Sequence, residues 1–369
     1  MHIIDLTFAL IYWILGFLFL FQIPRCQRRR GESKSYPSVS IIVPARNEEY
    51  SLPILLQSLR NQGFSADEII VVIGPSEDKT QAVAEREGVT VIISEPMPAG
   101  WLGKPWACFQ GAKAAKGELL IFLDADTFME KDGLKNIVDA FLEREGVVTI
   151  QPFHKTKNWY EQLSSYFNLV GMAGMGAFTF LGRLIKPVGL FGPCVVMSKK
   201  YYFESGGHLG VKGEIVEDLA LGNRIKKQHV SIYCYGGKGT ISFRMYPHGM
   251  GQLIEGWSKG FATGAAKTSI PILIATIVWI GGSISTTRYL IEALINLNTP
   301  QILIWGAAYI CYAAQIRWMF IRVGTFNYLT ALFYPISLLF FFVVFIRSFF
   351  LIFIRKSVKW KGVIISLKD

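Results

Sequence analysis

The stretch "ELLIFLDADTF", residues 118–128, runs from an apolar series into Asp124 and Asp126. A buried charge is costly without a partner, so a strand here must end at a wet edge or meet something cationic. On an extended segment, residues two apart leave the same face of the chain. Two hard oxygen donors held that way suit Mg²⁺ or Mn²⁺, which take their remaining ligands from phosphate oxygens and water. A solvated strand end would carry the same residues.

Four further clusters carry chemistry. In "PARNEE", residues 44–49, Arg46 can meet a phosphate or ribose, while Glu48 and Glu49 sit near a helix start, where acids are favourable in any case. In "GWLGKPWACFQGA", residues 100–112, a glycine-rich loop leads to a helix whose N-terminal amides attract anions, and Lys104 adds a point charge for a diphosphate. In "GEIVEDLALGNRI", residues 213–225, Glu217 and Asp218 fall on a first helical turn. One of them can accept the proton of an attacking hydroxyl, or both can simply cap the helix. In "FRMYPHGMGQLIEGWSKGFATGAAK", residues 243–267, Trp257 and Lys259 form either an aromatic platform with a cation or a membrane-surface segment with an interfacial tryptophan.

These residues need a scaffold, and the pattern between Val39 and Phe153 supplies one. "VSIIVPA", "EIIVVIG", "VTVIISE", "ELLIFLDAD" and "VVTIQPF" are short β-branched runs, and residues 51–62, 78–87, 105–115 and 131–143 supply helices between them. Such βαβα order predicts an α/β fold with a mainly parallel sheet covered on both faces, and ligands collect at the carboxyl ends of its strands. Asp124 and Asp126 fall at such an end.

The chain has 369 residues and 51% hydrophobic content, unevenly spread. Residues 6–23 carry no charge, and 270–286, 301–320 and 328–353 are long apolar runs, each near the roughly 20 residues a spanning helix needs. The first run reads as a permanent anchor rather than a cleaved signal peptide, since no basic residues precede it and no small-residue cleavage site follows. "RCQRRR" follows it (Arg25, Arg28, Arg29, Arg30), which predicts a cytoplasmic bulk. A basic C-terminus on the same side requires two or four later spans. Residues 163–182 are expected as a helix in the interface or a groove, because a crossing there would separate Asp124 and Asp126 from Glu217 and Asp218. The net charge of +11 gathers beside apolar runs, which points to anionic lipid headgroups and away from nucleic acid. Five scattered cysteines (Cys26, Cys108, Cys194, Cys234, Cys311) without a CxxC pair read as reduced, packed thiols. The expected organisation is an N-terminal anchor over 1–24, a cytoplasmic α/β domain over 25–267, transmembrane helices over 268–354 and a cytoplasmic tail over 355–369.

The clusters, in this order, resemble the membrane-bound family 2 (GT-A) glycosyltransferases and, within them, the bacterial group acting on carotenoid acids in staphyloxanthin-type synthesis. The likeness is carried by "IIVPARNEE", "GKPWACFQGA", "FLDAD", "QPFHKTKNWYEQLSSYFNLVGM", "FGP", "GGH", "FRMY", "EGWSKGFATGA" and "WKG", spread over nearly the whole chain. It implies a GT-A, Rossmann-like fold and an inverting transfer of a sugar, glucose from UDP-glucose, to a membrane lipid such as a carotenoid acid at the cell membrane. It implies Asp126 as the metal contact for Mg²⁺ or Mn²⁺ and Asp124 near the donor ribose. Asp218 becomes the base beside Glu217, and Pro44, Arg46 and Glu48 the nucleotide-binding end of the first strand.

Two departures stand out. Where the family reads like DDGSTD, this chain has "IGPSED", so Ile73 and Gly74 replace the acid expected at the uracil and Asp78 alone survives. "QLIEGW" matches only part of the QxxRW motif of processive relatives. A processive polysaccharide synthase and a non-catalytic membrane scaffold with a degenerate transferase fold are the alternatives.

Overall fold

The computed structural model describes residues 2–27, 35–180, 184–214, 216–360 and 363–366. Arg28, Arg29 and Arg30, expected to mark the cytoplasmic side, lie outside them. The chain forms two compact units, one over 24–153 and 187–244, the other over 1–23, 154–186 and 245–369. Residues 154–186 and 245–267 thus group with the apolar helices rather than with the sheet.

The first unit is built on strands β1 (Val39–Ala45), β2 (Glu68–Ile73), β3 (Thr90–Ile93), β4 (Leu119–Leu123), β5 (Thr127–Met129), β6 (Val147–Gln151), β7 (Phe153–His154, which ends at the unit's boundary), β8 (Cys194–Ser198), β9 (Ile232–Gly236) and β10 (Ile241–Phe243). Seven of them form one sheet in the order β3-β2-β1-β4-β8-β6-β9. Every pairing in it is parallel except those of β8 with β4 and β6. All five expected strands are present. The middle of β1 and all of β4 are buried on both faces, as a helix-covered parallel sheet requires. Alternation sorts their side chains: Ile41, Val43, Ile121 and Leu123 enter one core, while Ile42, Leu120 and Phe122 enter the other. Burying each such side chain contributes roughly 1.5–3 kcal/mol.

Chain order reverses at the β1–β4 pair, since β2 and β3 lie on one side and β8, β6 and β9 on the other. Such a switch point opens a crevice beyond the carboxyl ends of its two strands.

The second unit is helical. Two helices are long and apolar enough to cross a membrane, Ile270–Ile295 and Tyr334–Ile354. The latter carries an outward stripe of Ile336, Leu339, Val343 and Ile346. The intervening helix Thr299–Val323 holds Gln315, Arg317 and Arg322, whose polar groups are satisfied inside the unit: Trp279 Nε1 donates to Gln315 Oε1 at 2.8 Å, and Arg317 donates to the Phe326 carbonyl. The uncharged run 6–23 does not become one span. Its helix is His2–Gly16, shorter than the roughly 20 residues needed, and the chain then turns, with Leu20 at a φ of +53°. Gly16 lets that helix close on its neighbours, since a Cβ there would meet Gln315 Oε1 and Trp279 Nε1 at 2.4 Å. Within the segment expected as a helix in the interface or a groove, Ser165–Gly174 form a ten-residue helix whose Tyr166, Phe167 and Leu169 are fully buried, so it is an inner element of this unit.

Candidate active site

Asp124 stands directly after β4. Its N–H donates to the Pro193 carbonyl at 3.0 Å, and its own carbonyl accepts from Thr127 N and Oγ1 at 3.1 and 2.7 Å. Those bonds close a turn into β5, so Asp124 and Asp126 lie in a turn and not on the extended segment expected. The same-face inference therefore fails in its premise. Asp126 is half-buried in that turn, and its carbonyl accepts from Arg244 N at 3.3 Å.

The cation that a strand ending in carboxylates demands is Lys104. Its Nζ lies 2.8 Å from Asp124 Oδ1, 3.4 Å from Glu217 Oε1 and 3.6 Å from Asp218 Oδ2. Helix Gly103–Ala114 delivers it. Ala107, Cys108 and Gly111 follow Lys104 at helical spacing on the buried stripe, and a Cβ on Gly111 would come within 2.5 Å of Ile42 Cγ2. The stripe packs on the sheet, and its first member projects past the strand ends into the switch-point crevice. Burial opposes the charge on Lys104, but Asp124, Asp218 and Glu217 outweigh it and hold the ammonium well above the ordinary lysine range.

Glu217 and Asp218 open helix Glu217–Lys227, where the helix dipole favours acids. Small residues allow that helix to sit against the chain before β8: a Cβ on Gly189 would be 2.6 Å from Leu219 Cα, and one on Gly222 would be 2.6 Å from Gly189. Lys226 Nζ donates to the Pro187 and Val188 carbonyls at 2.8 and 2.9 Å and fastens the last turn. Gly192, in "FGP", faces Asp218 so closely that a Cβ would lie 1.9 Å from Oδ2. Thr149 Oγ1 fixes this loop by accepting from Phe191 N at 2.8 Å. Pro44, Lys104, Asp124, Gly192, His208 and Asp218 line one small cleft.

His208 is buried behind this cleft. Tyr202 OH accepts from His208 N at 3.2 Å and lies 2.9 Å from His208 Nδ1, which fixes the ring from two sides. Burial lowers the ring to about 4, against the opposing pull of Glu217, which makes it neutral at physiological pH. Sequence reasoning assigned no role to His208 or Gly192. The only signal was their place in "GGH" and "FGP", ahead of the acidic pair.

At the end of β1, Arg46 Nε donates to the Pro75 carbonyl at 3.0 Å. Glu48 N donates to Thr80 Oγ1 at 2.8 Å, and Glu49 N to Asp78 Oδ2 at 3.0 Å. Asp78 Oδ1 accepts from Thr80 N at 3.0 Å. Asp78 is thus a latch between the loops after β1 and β2. Ile73 ends β2, and Gly74 N donates to the Ala45 carbonyl at 2.9 Å, so the position expected for a base-contacting acid offers no carboxylate. Burial of Asp78 opposes its charge, yet its hydrogen bonds prevail and hold it below the usual aspartate range. Stability from such a group is present above its unfolded pKa and is lost as pH falls through the folded value. Asp78→Asn is expected to cost about 1 kcal/mol at neutral pH and to flatten the acid side of the stability curve, read from urea midpoints between pH 7 and 3. A parallel downward shift at every pH would contradict the latch.

Trp257 and Lys259 belong to the helical unit. Trp257 stacks on Phe167 at 4.7 Å between centroids, and its Nε1 donates to Ser164 Oγ at 3.0 Å. Lys259 lines a separate cavity in the same unit.

Among the described residues no three His, Cys, Asp or Glu side chains are arranged to hold a metal by themselves. Mg²⁺ and Mn²⁺ commonly use one or two carboxylates and complete their shell from phosphate and water, so this donor set suits an ion shared with a diphosphate and not an all-protein cage.

A mostly parallel α/β sheet with an acidic strand tip at its switch point defines a GT-A-like protein. The chain belongs to glycosyl transferase family 2, whose family model matches residues 40–203, and it is a glycosyltransferase. It is 34% identical over 334 residues to 4,4'-diaponeurosporenoate glycosyltransferase of Staphylococcus aureus (strain USA300), covering 89% of this chain and 88% of that protein. The relative from strain MRSA252 is also 34% identical over 334 residues. Among solved structures, a mannosyltransferase from Pyrobaculum calidifontis in complex with GDP-Man and Mn²⁺ superposes with a TM-score of 0.52 at 17% identity, covering 90% of this chain and 95% of that one. That likeness concerns the fold. Four cysteines are buried and Cys311 is exposed, all as free thiols. The two apolar helices support membrane association.

Proposed function

We propose that this glycosyltransferase moves glucose from UDP-glucose to a membrane lipid acceptor, a carotenoid acid, with inversion at the anomeric carbon. The observation that carries the reading is the meeting of Asp124, Glu217 and Asp218 around Lys104 at the β1–β4 switch point. Similarity to the Staphylococcus aureus 4,4'-diaponeurosporenoate glycosyltransferase supports the acceptor.

In this reading Pro44, Arg46 and Glu48 border the nucleotide, and Asp78 acts on them indirectly by fixing their loop. Asp124 meets the donor ribose, and Asp126 would hold Mg²⁺ or Mn²⁺, which when bound supplies charge neutralisation for the departing diphosphate. Lys104 adds a positive charge on the same side. Asp218 accepts the proton of a hydroxyl acceptor; when the acceptor is already a carboxylate, it orients the attacking oxygen instead. Glu217 holds Lys104, and neutral His208 holds the wall behind it. Trp257 and Lys259 belong to acceptor handling in the helical unit. In this reading the enzyme is a multi-pass protein of the cell membrane with its catalytic unit cytoplasmic, a reading supported by two apolar helices and the basic residues beside them.

The test is product analysis. Purified protein with UDP-glucose, Mn²⁺ and a carotenoid acid is expected to yield a hexosylated lipid by mass spectrometry. Asp126→Ala is expected to raise the half-saturating Mn²⁺ concentration about tenfold or more. A marked preference for another nucleotide sugar, or an ion requirement untouched by Asp126→Ala, would overturn the corresponding assignment.

A further inference from the structure

The helical unit contains a cavity of about 200 Å³ whose charged and polar lining includes Glu255, Ser258, Lys259, Arg347 and Arg355. Three cations against one carboxylate leave its lining positive. Arg347 lies inside the apolar helix Tyr334–Ile354, and Arg355 directly follows that helix. A guanidinium within an apolar span requires a polar partner, and at a helix end that partner sits at headgroup depth.

Two details mark a built site and not a gap. Ser258 is 2% exposed and its Oγ has no hydrogen-bond partner, an orphan of the kind native interiors avoid. The turn that carries it is fastened to the span: Ser348 Oγ donates to the Ser258 carbonyl at 2.9 Å and accepts from Ala262 N at 3.2 Å.

We propose that this cavity binds the phosphate of an anionic bilayer phospholipid, gripped by Arg347 and Arg355 with Ser258 Oγ as an additional donor. Guanidinium forks match phosphate oxygens bidentately, and the cavity has room for a phosphate with its glycerol carbons. The lipid phosphate is favoured over free phosphate because Arg347 lies along the apolar span, where acyl chains follow the headgroup. The site concerns the lipid in which the enzyme sits and does not depend on which sugar is transferred.

The experiment uses the full chain in phosphatidylcholine nanodiscs with or without phosphatidylglycerol, read by lipid retention in native mass spectrometry and by the thermal midpoint. Phosphatidylglycerol is expected to be retained and to raise the midpoint. Arg347→Gln/Arg355→Gln is expected to weaken retention about tenfold or more, and Ser258→Ala more mildly. The charge-matched control Lys200→Gln/Lys227→Gln, on the other unit's surface, is expected to behave as wild type. Equal retention by the arginine variant, or equal loss in the control, would overturn the site. A matching midpoint rise from inorganic phosphate in plain phosphatidylcholine would assign the cavity to free phosphate and overturn the lipid. Sugar transfer in phosphatidylcholine alone separates these outcomes from any failure of the catalytic reading.

Discussion

Gly192→Ala is expected to lower transfer by about 10²–10³-fold while the protein stays folded, because the new methyl group would occupy the space of a carboxylate oxygen. The Cβ position lies 1.9 Å from Asp218 Oδ2 and 2.5 Å from Cγ. Those atoms are the far end of a short side chain, so the carboxylate can rotate away without moving the backbone of helix Glu217–Lys227. Rotation draws Oδ2 away from its place 3.6 Å from Lys104. The melting temperature is therefore expected to change by a few degrees at most, and the loss to fall on turnover. A double-mutant cycle with Asp218→Ala isolates the cause. If Gly192 acts through Asp218, alanine at 192 adds little once the carboxylate has gone. Additive losses would show that Gly192 matters for another reason, and wild-type turnover in the single variant would end the argument.

This contact explains which parts of the site were legible in the sequence. The apolar runs at 39–45, 68–73, 119–123 and 147–151 became strands because a largely buried strand is written in consecutive apolar residues, and 90–93 pairs beside them as a more exposed edge. The acidic pair at 217 and 218 opened a helix, since first-turn acids and following apolar spacing are both local signals. Gly192 and Asp218 are 26 positions apart, and "FGP" contains nothing that names its partner. The position of Lys104 was equally hidden. Its loop composition suggested anion binding, whereas the packing of Ala107, Cys108 and Gly111 on the sheet sends it among three carboxylates.

The turn at 124–127 was misread for a different reason. Alternation along "ELLIFLDAD" gives no stop signal before Asp124, and only the two bonds from Thr127 to the Asp124 carbonyl reveal that the strand has ended. In the N-terminal run, too, the helix covers only part of the apolar stretch. Absence of charge over 6–23 permitted a span, but Leu20 turns the chain, and no charge or proline marks that turn before Pro24. Hydropathy reports what a segment can be buried in, and backbone turns decide how much of it is one helix.

Lys104→Met should have the second large effect, on catalysis and on the pH dependence of stability together. Turnover is expected to fall about 10²–10³-fold, the scale for removing a placed electrostatic group from an active site. Stability at pH 7 is expected to fall by about 1–3 kcal/mol, less than a fully buried pair would lose, because the Lys104 side chain is 30% exposed. In the wild type the ammonium is held above its ordinary range, so its contribution is complete below the unfolded lysine pKa and disappears only as pH rises through the higher folded value. In the variant the sign reverses. Asp124, Glu217 and Asp218 remain gathered without a cation, and the repulsion among their like charges opposes folding until acid relieves it. The stability gap between wild type and Lys104→Met should therefore narrow as pH falls from 7 towards 5, read from urea midpoints at both pH values. A gap that stays constant would mean that Lys104 contributes by packing its methylenes, and that the carboxylates find their counter-charge elsewhere.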